Sequence, residues 1–392
     1  MESAQFRLSP AQAAFCARVR AVAESDLVPL AAAGAPGRVN RPLLAAMGEH
    51  GLLARLFPAA AAVSTPAPDA AGHRAEAAAL DLCLLRESLA QVSTEAETAL
   101  ALQGLGTYPV VQNGTEEQVA RWLPKVVAGT AVAGFALSEP GSGSDAASLS
   151  LAATPSSTGD GWTLSGEKIW ISNAPEADFY SVFARTTADA GSRGVSAFLV
   201  PADRPGLGGE HLDMISPHPI GRLTFDAVPV TRADLLGEVD QGFRVAMRTL
   251  DLFRPSVGAF AVGMAQAALD ASVEYAGRRE AFGGVLKDLQ AVSHSLAEMA
   301  TRIEAARLLV YSAAEAYDTG EKRIAGRSAM AKLFATETAQ YVVDAAVQIH
   351  GAVALQHGHL LEHLYREVRA PRIYEGASEV QRTIIGRELY RG

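Results

Sequence analysis

The sequence predicts an α+β chain that is mostly α. An N-terminal helical domain covers residues 1–129, a small central β domain of barrel or sandwich type covers 130–237, and a C-terminal four-helix bundle covers 238–392. Three observations predict this order. Apolar residues recur at helical spacing on both sides of the centre. The centre instead carries short runs rich in Val, Phe and Tyr, bounded by turn residues. Hydrophobic residues are 49% of the 392, enough to fill a large core and to argue against disorder.

Ser9-Pro10 reads as an N-cap followed by a proline in the first turn. Leu43, Leu44 and Met47, then Leu52 and Leu53, keep a near-helical period, and Gly51 after His50 reads as a stop. The Ala-, Pro- and Ser-rich stretch from Ala59 to Gly72 predicts a loop. Leu80, Leu84, Leu85 and Leu89 resume the period, and Glu116 to Leu123 predicts a further short helix. Strands are expected at 179–184, 195–200 and 223–228, with a hairpin turn at Thr158-Gly-Asp-Gly161. Leu296, Met299, Ile303, Ala306 and Val310 then form a heptad seam. Met330, Phe334, Tyr341 and Ala345 continue it in a second long helix. Both stripes are assigned to core or to a subunit interface.

The net charge is −9, without Lys/Arg blocks, which argues against nucleic acid or anionic membrane as main partner. The two cysteines, Cys16 and Cys83, form no CxxC pair, so neither a disulfide framework nor a Cys-rich metal site is implied. The start lacks a secretory pattern, and the longest apolar run noted, Ala131 to Leu137, is too short to span a bilayer. A soluble, cytoplasmic chain is expected.

Five stretches carry candidate chemistry. In Arg372-Ile-Tyr-Glu-Gly-Ala-Ser-Glu-Val-Gln-Arg382, Glu375 precedes a glycine at the mouth of a last helix, for which Ser378 is the expected N-cap. Such a carboxylate, pointing off a rigid edge into open space, suits a base reaching a substrate carbon. An ordinary acidic helix entry satisfies the same pattern. Gly134-Phe-Ala-Leu-Ser-Glu-Pro-Gly-Ser-Gly-Ser-Asp145 runs from a strand into a Gly/Ser loop, readable as a nest for phosphate oxygens or as a plain turn. In Lys168-Ile-Trp-Ile-Ser-Asn173, strand alternation places Lys168, Trp170 and Ser172 on one face, open to a planar ligand, and the isoleucines on the other. Arg278-Arg-Glu-Ala-Phe-Gly283 offers forked donors for a diphosphate beside a helix-ending glycine, or a solvated helix end. His359-Leu-Leu-Glu-His363 matches the H-x-x-E-H spacing of some zinc peptidases, with no obvious third ligand.

Taken together and in this order, the stretches resemble the acyl-CoA dehydrogenase family over nearly the whole chain. The carriers are Phe135 to Ala146, Lys168 to Asn173, Arg279-Glu-Ala-Phe-Gly283, Gln348-Ile-His-Gly351 and Tyr374-Glu-Gly376. The resemblance implies FAD, an acyl-CoA or acyl-carrier-protein thioester, an electron-transfer flavoprotein as acceptor, and a homotetramer or dimer that shares its flavin sites. It places Phe135, Leu137 and Ser138 along the flavin ring and Trp170 and Ser172 near its reactive edge. Ser144 meets the pyrophosphate and substrate. Arg279, Phe282, Gln290 and Gln348 reach a partner subunit's FAD, and Ala377 and Glu379 lie by the adenosine end. Glu375 is the base, flanked by Tyr374 and Gly376 at the substrate, while Asp251, Arg254 and Arg387 face the carrier arm. Phe253 stands where the family has a second place for a Glu base, leaving Glu375 as the candidate. Ser138 and Ser172 replace frequent threonines and keep the hydroxyl. Met214-Ile-Ser-Pro-His-Pro219 lacks the family's Gly-x-Arg.

The chemistry expected is removal of a thioester's α-proton by Glu375, whose basicity burial raises, with β-hydride transfer to the flavin. An acyl-CoA oxidase on the same fold, a zinc peptidase built on His359, Glu362 and His363, and an inactive flavin-binding scaffold are the alternatives.

Overall fold

The computed structural model describes residues 8–58, 78–156, 159–321 and 324–390. The loop expected over Ala59 to Gly72 lies outside them. Contacts divide the chain into two compact units. One comprises 1–28, 78–97 and 251–392. The other comprises 29–77 and 98–250.

The first unit is helical. It contains α1 (Pro10–Val22), α5 (Ala79–Ala90), most of α8 (Gly242–Arg278), α9 (Gln290–Asp318), α10 (Ala325–His350), α11 (Leu360–Glu367) and α12 (Ser378–Leu389). Ser9 caps α1 in a full capping box with Gln12, as its proline-led start predicts. The α9 seam is core, with Met299, Ile303, Ala306 and Val310 buried and Leu296 half-buried. Each large apolar side chain so buried contributes about 1.5–3 kcal/mol. The second stripe behaves differently. Met330 and Tyr341 are exposed and Phe334 and Ala345 half-buried; α10 instead buries Ala331, Ala335, Ala339, Val342 and Ala346. Small residues win that face because the packed helices come close. At Gly258 of α8, for example, an added Cβ would lie 3.4 Å from Ala335 Cβ and 3.5 Å from the Ala331 carbonyl oxygen. Gly320 follows α9 in a left-handed turn, while Gly326 belongs to the first turn of α10.

The second unit contains α2 (Val28–Ala33), α3 (Arg41–Glu49), α4 (Leu52–Leu56), most of α6 (Thr94–Asn113), α7 (Glu116–Val127) and a sheet. Gly51 stops α3 with φ +69°. Among the described residues the sheet has seven strands: β1 (Ala133–Ala136), β2 (Ala152–Pro155), β3 (Gly161–Ser172), β4 (Phe179–Arg185), β5 (Val195–Pro201), β6 (Leu207–His211) and β7 (Ile220–Thr231). Their order is β1-β4-β2-β3-β7-β6, with β5 on β4. β2 and β3 pair antiparallel as the hairpin signal predicts, although Thr158 lies outside the described residues. β4 and β5 are buried almost end to end, the pattern of strands covered on both faces. Trp122 of α7 packs on Phe179 of β4 at a centroid distance of 4.6 Å. Gln103 of α6 bonds both Ala131 O and Ala133 N at 2.8 Å, fixing the entry to β1.

The 37-residue α8 corrects one expectation. By length and mean hydropathy it is apolar enough to cross a membrane, but 72% of its most apolar window is buried inside the protein, the pattern of a core helix.

Candidate active site

Glu375 sits in the first unit, in a turn between a short 3-10 segment at Ala370–Arg372 and α12. Two consecutive residues there are left-handed, Glu375 at φ +49° and Gly376 at φ +92°. Glycine accepts that conformation freely, whereas a glutamate held there stores backbone strain, a common mark of functional positions. The strain is held by bonds to the turn's carbonyls. Lys332 Nζ of α10 donates to Tyr374 O at 3.0 Å and to Gly376 O at 2.6 Å. Gln381 Nε2 donates to Gly376 O at 2.9 Å. One turn further along α10, Glu337 pairs with Arg372 at 2.9 Å and accepts from Ser378 Oγ at 2.7 Å. Ser378 is therefore not the N-cap. It is the first residue of α12, Ala377 takes the cap position, and the Ser378 hydroxyl is spent on Glu337.

The carboxylate does not project into open space. Glu375 as a residue keeps partial exposure, yet its Oε2 is enclosed and has no hydrogen-bond partner. Burial pushes its pKa above the usual carboxylate range, against the opposing pull of Arg86, Lys332 and Arg254. Arg86 comes from α5, ion-pairs with Glu97 and donates to Ser256 Oγ at 2.7 Å. Arg254 pairs with Asp251 at 2.8 Å, while its Nε is enclosed without a partner. Lys332 is fully buried, and burial pulls its pKa down to about 8 against the raising influence of Glu375. The Tyr374 phenol is pushed up by burial. Phe253 is buried completely.

Arg86, Glu97, Lys332 and Glu337 are site residues that the sequence reading missed. A usable signal existed. Arg86 is a lone cation in the buried phase of a helix otherwise apolar at Leu82, Leu85 and Leu89, and Lys332 is a lone cation among the small buried residues Ser328, Ala331, Ala335 and Thr336. Buried charges in such positions need a reason.

The second unit gathers the two stretches read as flavin strands. Ile169 N donates to Ser138 O at 3.0 Å, and Lys168 Nζ donates to Leu137 O at 2.9 Å and Glu139 Oε1 at 2.7 Å. Glu139 also accepts from Ser150 N and Leu151 N, and the ion pair with Lys168 helps hold its pKa low despite burial. This corrects the expected face of β3. Lys168 is buried while Trp170 is 53% exposed. A register shift between Lys168 and Ile171, with Trp170 at φ +60°, breaks the alternation. Ile169 and Ile171 are buried as expected. Phe135 is half-buried with its ring 4.9 Å from Phe183, Leu137 is buried, and Ser138 and Ser172 are half-buried. An indole this open beside a half-open hydroxyl fits a planar ring with a hydrogen-bonding edge. The Gly/Ser loop is tighter than a free nest, because Ser142 N donates to Glu139 O and Ser142 Oγ to Asp145 O. Ser144 is exposed on it, and a Cβ at Gly141 or Gly143 would meet nothing within 4 Å.

Other expected site residues lie on the outside of the first unit. α8 ends at Arg278, and Gly283 belongs to a small hairpin of β8 (Glu280–Ala281) and β9 (Gly284–Val285), so it does not end the helix. Phe282, at its tip, is 93% exposed. Arg279, Gln290, Gln348, Glu379 and Arg387 are exposed, and Ala377 and Gly376 half-buried. The His359–His363 motif is dispersed among separate partners. His359 Nδ1 caps α11 through Leu361 N, Glu362 pairs with Arg366 and His363 Nε2 contacts Thr94 Oγ1. Among the described residues no group of three His, Cys, Asp or Glu side chains gathers at metal-holding distance.

Residues 9–130, 134–228 and 240–390 match the N-terminal, middle and C-terminal domains of acyl-CoA dehydrogenase. The chain is 37% identical over 380 residues to the mitochondrial short-chain specific acyl-CoA dehydrogenase of Bos taurus, covering 95% of this chain and 88% of that one. Butyryl-CoA dehydrogenase from Megasphaera elsdenii superposes with a TM-score of 0.88 at 33% identity, covering 99% of this chain and all of that one. A structure described as PigA with FAD and proline superposes with a TM-score of 0.88 at 26% identity, with the same coverage. The chain thus belongs to the acyl-CoA dehydrogenase family, a family of flavin-dependent oxidoreductases.

Proposed function

We propose that Glu375 is the base with which this acyl-CoA dehydrogenase removes the α-proton of its substrate, leaving a 2,3-enoyl thioester. The observation that carries the assignment is the enclosed, unpartnered Oε2 of a carboxylate held in a strained turn. An ionised oxygen without a donor is a costly arrangement that taking up a proton relieves, and the α-proton of a bound thioester is one. Burial raises the basicity of the carboxylate, and Arg86, Lys332 and Arg254 oppose that rise by favouring the ionised form. The Glu375 N–H, which no described hydrogen bond uses, suits the thioester oxygen as charge develops there.

FAD, when bound, supplies the acceptor for the hydride of the β-carbon. Phe135, Leu137, Ser138, Trp170 and Ser172 would hold its ring and Ser144 its phosphates. The exposed Arg279, Phe282, Gln290 and Gln348 would contact the FAD of a second copy, with Ala377 and Glu379 near the adenosine. The exposed apolar stripe of Met330 and Tyr341 supports association of copies, as a dimer or tetramer. Asp251, Arg254 and Arg387 would line the path of the carrier arm, with Tyr374 and Gly376 beside the base at the substrate. An electron-transfer flavoprotein is the proposed electron acceptor.

The test is Glu375→Gln in flavin-loaded protein, assayed by anaerobic bleaching against a panel of CoA thioesters. The amide cannot take a proton, so a loss of about 10²–10⁴-fold or more in rate is expected, with flavin content retained. Turnover near the parent's rate would remove Glu375 from this role.

A further inference from the structure

We infer that Lys332 is a positioning residue of the proton-transfer step: it fixes the turn that presents Glu375 and places a positive charge near the carboxylate without hydrogen-bonding to it. The inference rests on the reading of Glu375 as the base.

The geometry is two-sided. Lys332 Nζ reaches the carbonyls immediately before and after Glu375, at 3.0 Å on Tyr374 O and 2.6 Å on Gly376 O. Two left-handed residues in succession turn those carbonyls onto α10, where a buried carbonyl needs a donor. Gln381 Nε2 shares the load at Gly376 O. Lys332 itself projects from the third turn of a 26-residue helix and has no exposed surface, so the anchor is stiff.

The charges around Glu375 differ in kind. Arg86 on α5 is matched by Glu97 of α6, and Arg254 on α8 by Asp251. Lys332 on α10 donates to neutral carbonyls, and no described ion pair involves it; Glu337 and Glu379 act on it only at a distance. The phenol of Tyr374 is the remaining titratable neighbour. Lys332 is accordingly the cation whose field falls on Glu375 undiminished by a bonded acid. Because its donors are used elsewhere, Oε2 keeps its lone pairs for the substrate proton. A direct Lys–Glu hydrogen bond would hold the carboxylate ionised too, but would compete with the proton it must accept.

The experiment uses flavin-loaded Lys332→Met and Lys332→Gln, with Glu375→Gln as reference. It measures kcat and kcat/KM against pH, flavin absorbance and unfolding midpoint. Lys332→Met removes donors and charge, so kcat should fall about 10²-fold through misplacement of the base, with KM little changed. Lys332→Gln keeps donors without charge, so its acid limb in kcat/KM should move to higher pH by about one unit. A merely structural role would lower the midpoint and the amount of folded protein while leaving that limb in place. An unmoved limb in Lys332→Gln, or activity losses that only track folded protein, would overturn the inference. If Glu375→Gln is itself active, the base assignment fails first. If it is inactive while both Lys332 variants keep the parent's kcat and limb, only the role of Lys332 fails.

Discussion

Replacing Gly376 by alanine tests whether the catalytic turn is held as the structure describes. At φ +92° an alanine lies outside the regions open to L-residues, a strain of about 1–3 kcal/mol. Its Cβ would also overlap Gln381 Nε2, well inside van der Waals contact. Gln381 is fully buried and its Oε1 already lacks a partner; besides Gly376 O, its Nε2 has only a long 3.4 Å contact to Glu375 O in reserve. If it withdraws, its 2.9 Å bond to Gly376 O is lost. Leaving that amide unsatisfied costs about another 1–3 kcal/mol. The combined destabilisation expected is about 2–6 kcal/mol, a large part of the stability of an ordinary domain. Lys332 still holds Gly376 O at 2.6 Å, so the turn should shift and remain formed. A shift of about an ångström in the base lowers kcat about 10²-fold. The assay is chemical denaturation monitored by circular dichroism, paired with steady-state kinetics on a CoA thioester. A variant within about 0.5 kcal/mol of the parent, the range of neutral surface changes, would show that neither the left-handed turn nor the Gln381 contact matters as argued.

Three further outcomes follow from the second unit and the hairpin. Glu139→Gln leaves Lys168 buried without its counter-charge and should destabilise the protein by about 3–5 kcal/mol in denaturant titration. In the parent, the Lys168 pKa is pulled from 10.5 to about 8 by burial, so between those values the unfolded chain holds more protons and the contribution of Lys168 to stability rises with pH. Glu139, with its pKa lowered in the fold, contributes stability above pH 4.5 that is lost as pH falls through its folded value; denaturation midpoints across pH 3 to 10 check both signs. Arg279→Ala on the exposed hairpin should leave the unfolding midpoint of flavin-free protein unchanged and lower the flavin retained on dialysis. Equal retention would separate Arg279 from flavin binding.

Much of the fold was readable because its signals are local. The α1 cap, the α9 seam and the strands β4, β5 and β7 follow from spacing and alternation within a dozen residues or so. The stripe of Met330 and Tyr341 was readable as core or as interface, and the fold excludes core for these two exposed residues. Periodicity marks two faces of a helix, and on α10 the small alanines took the buried one. Ser378 looked like a cap until Glu337, forty-one residues away, claimed its hydroxyl. The alternation on β3 failed at a bulge, which no pattern in Lys168 to Asn173 announced.

By itself the sequence determined the order of helical and β segments, the presence of a Glu-Gly pair able to adopt a left-handed turn, and the family to which these belong. The tertiary structure alone decided which charges meet. Arg86, Arg254 and Lys332 are spread across almost 250 residues of chain and act together on one carboxylate. Their effect depends on distance and on the exclusion of water, which packing creates and no linear spacing encodes. The same exclusion leaves Oε2 of Glu375 without a partner and so gives the residue a basicity that an exposed glutamate in the identical motif would lack.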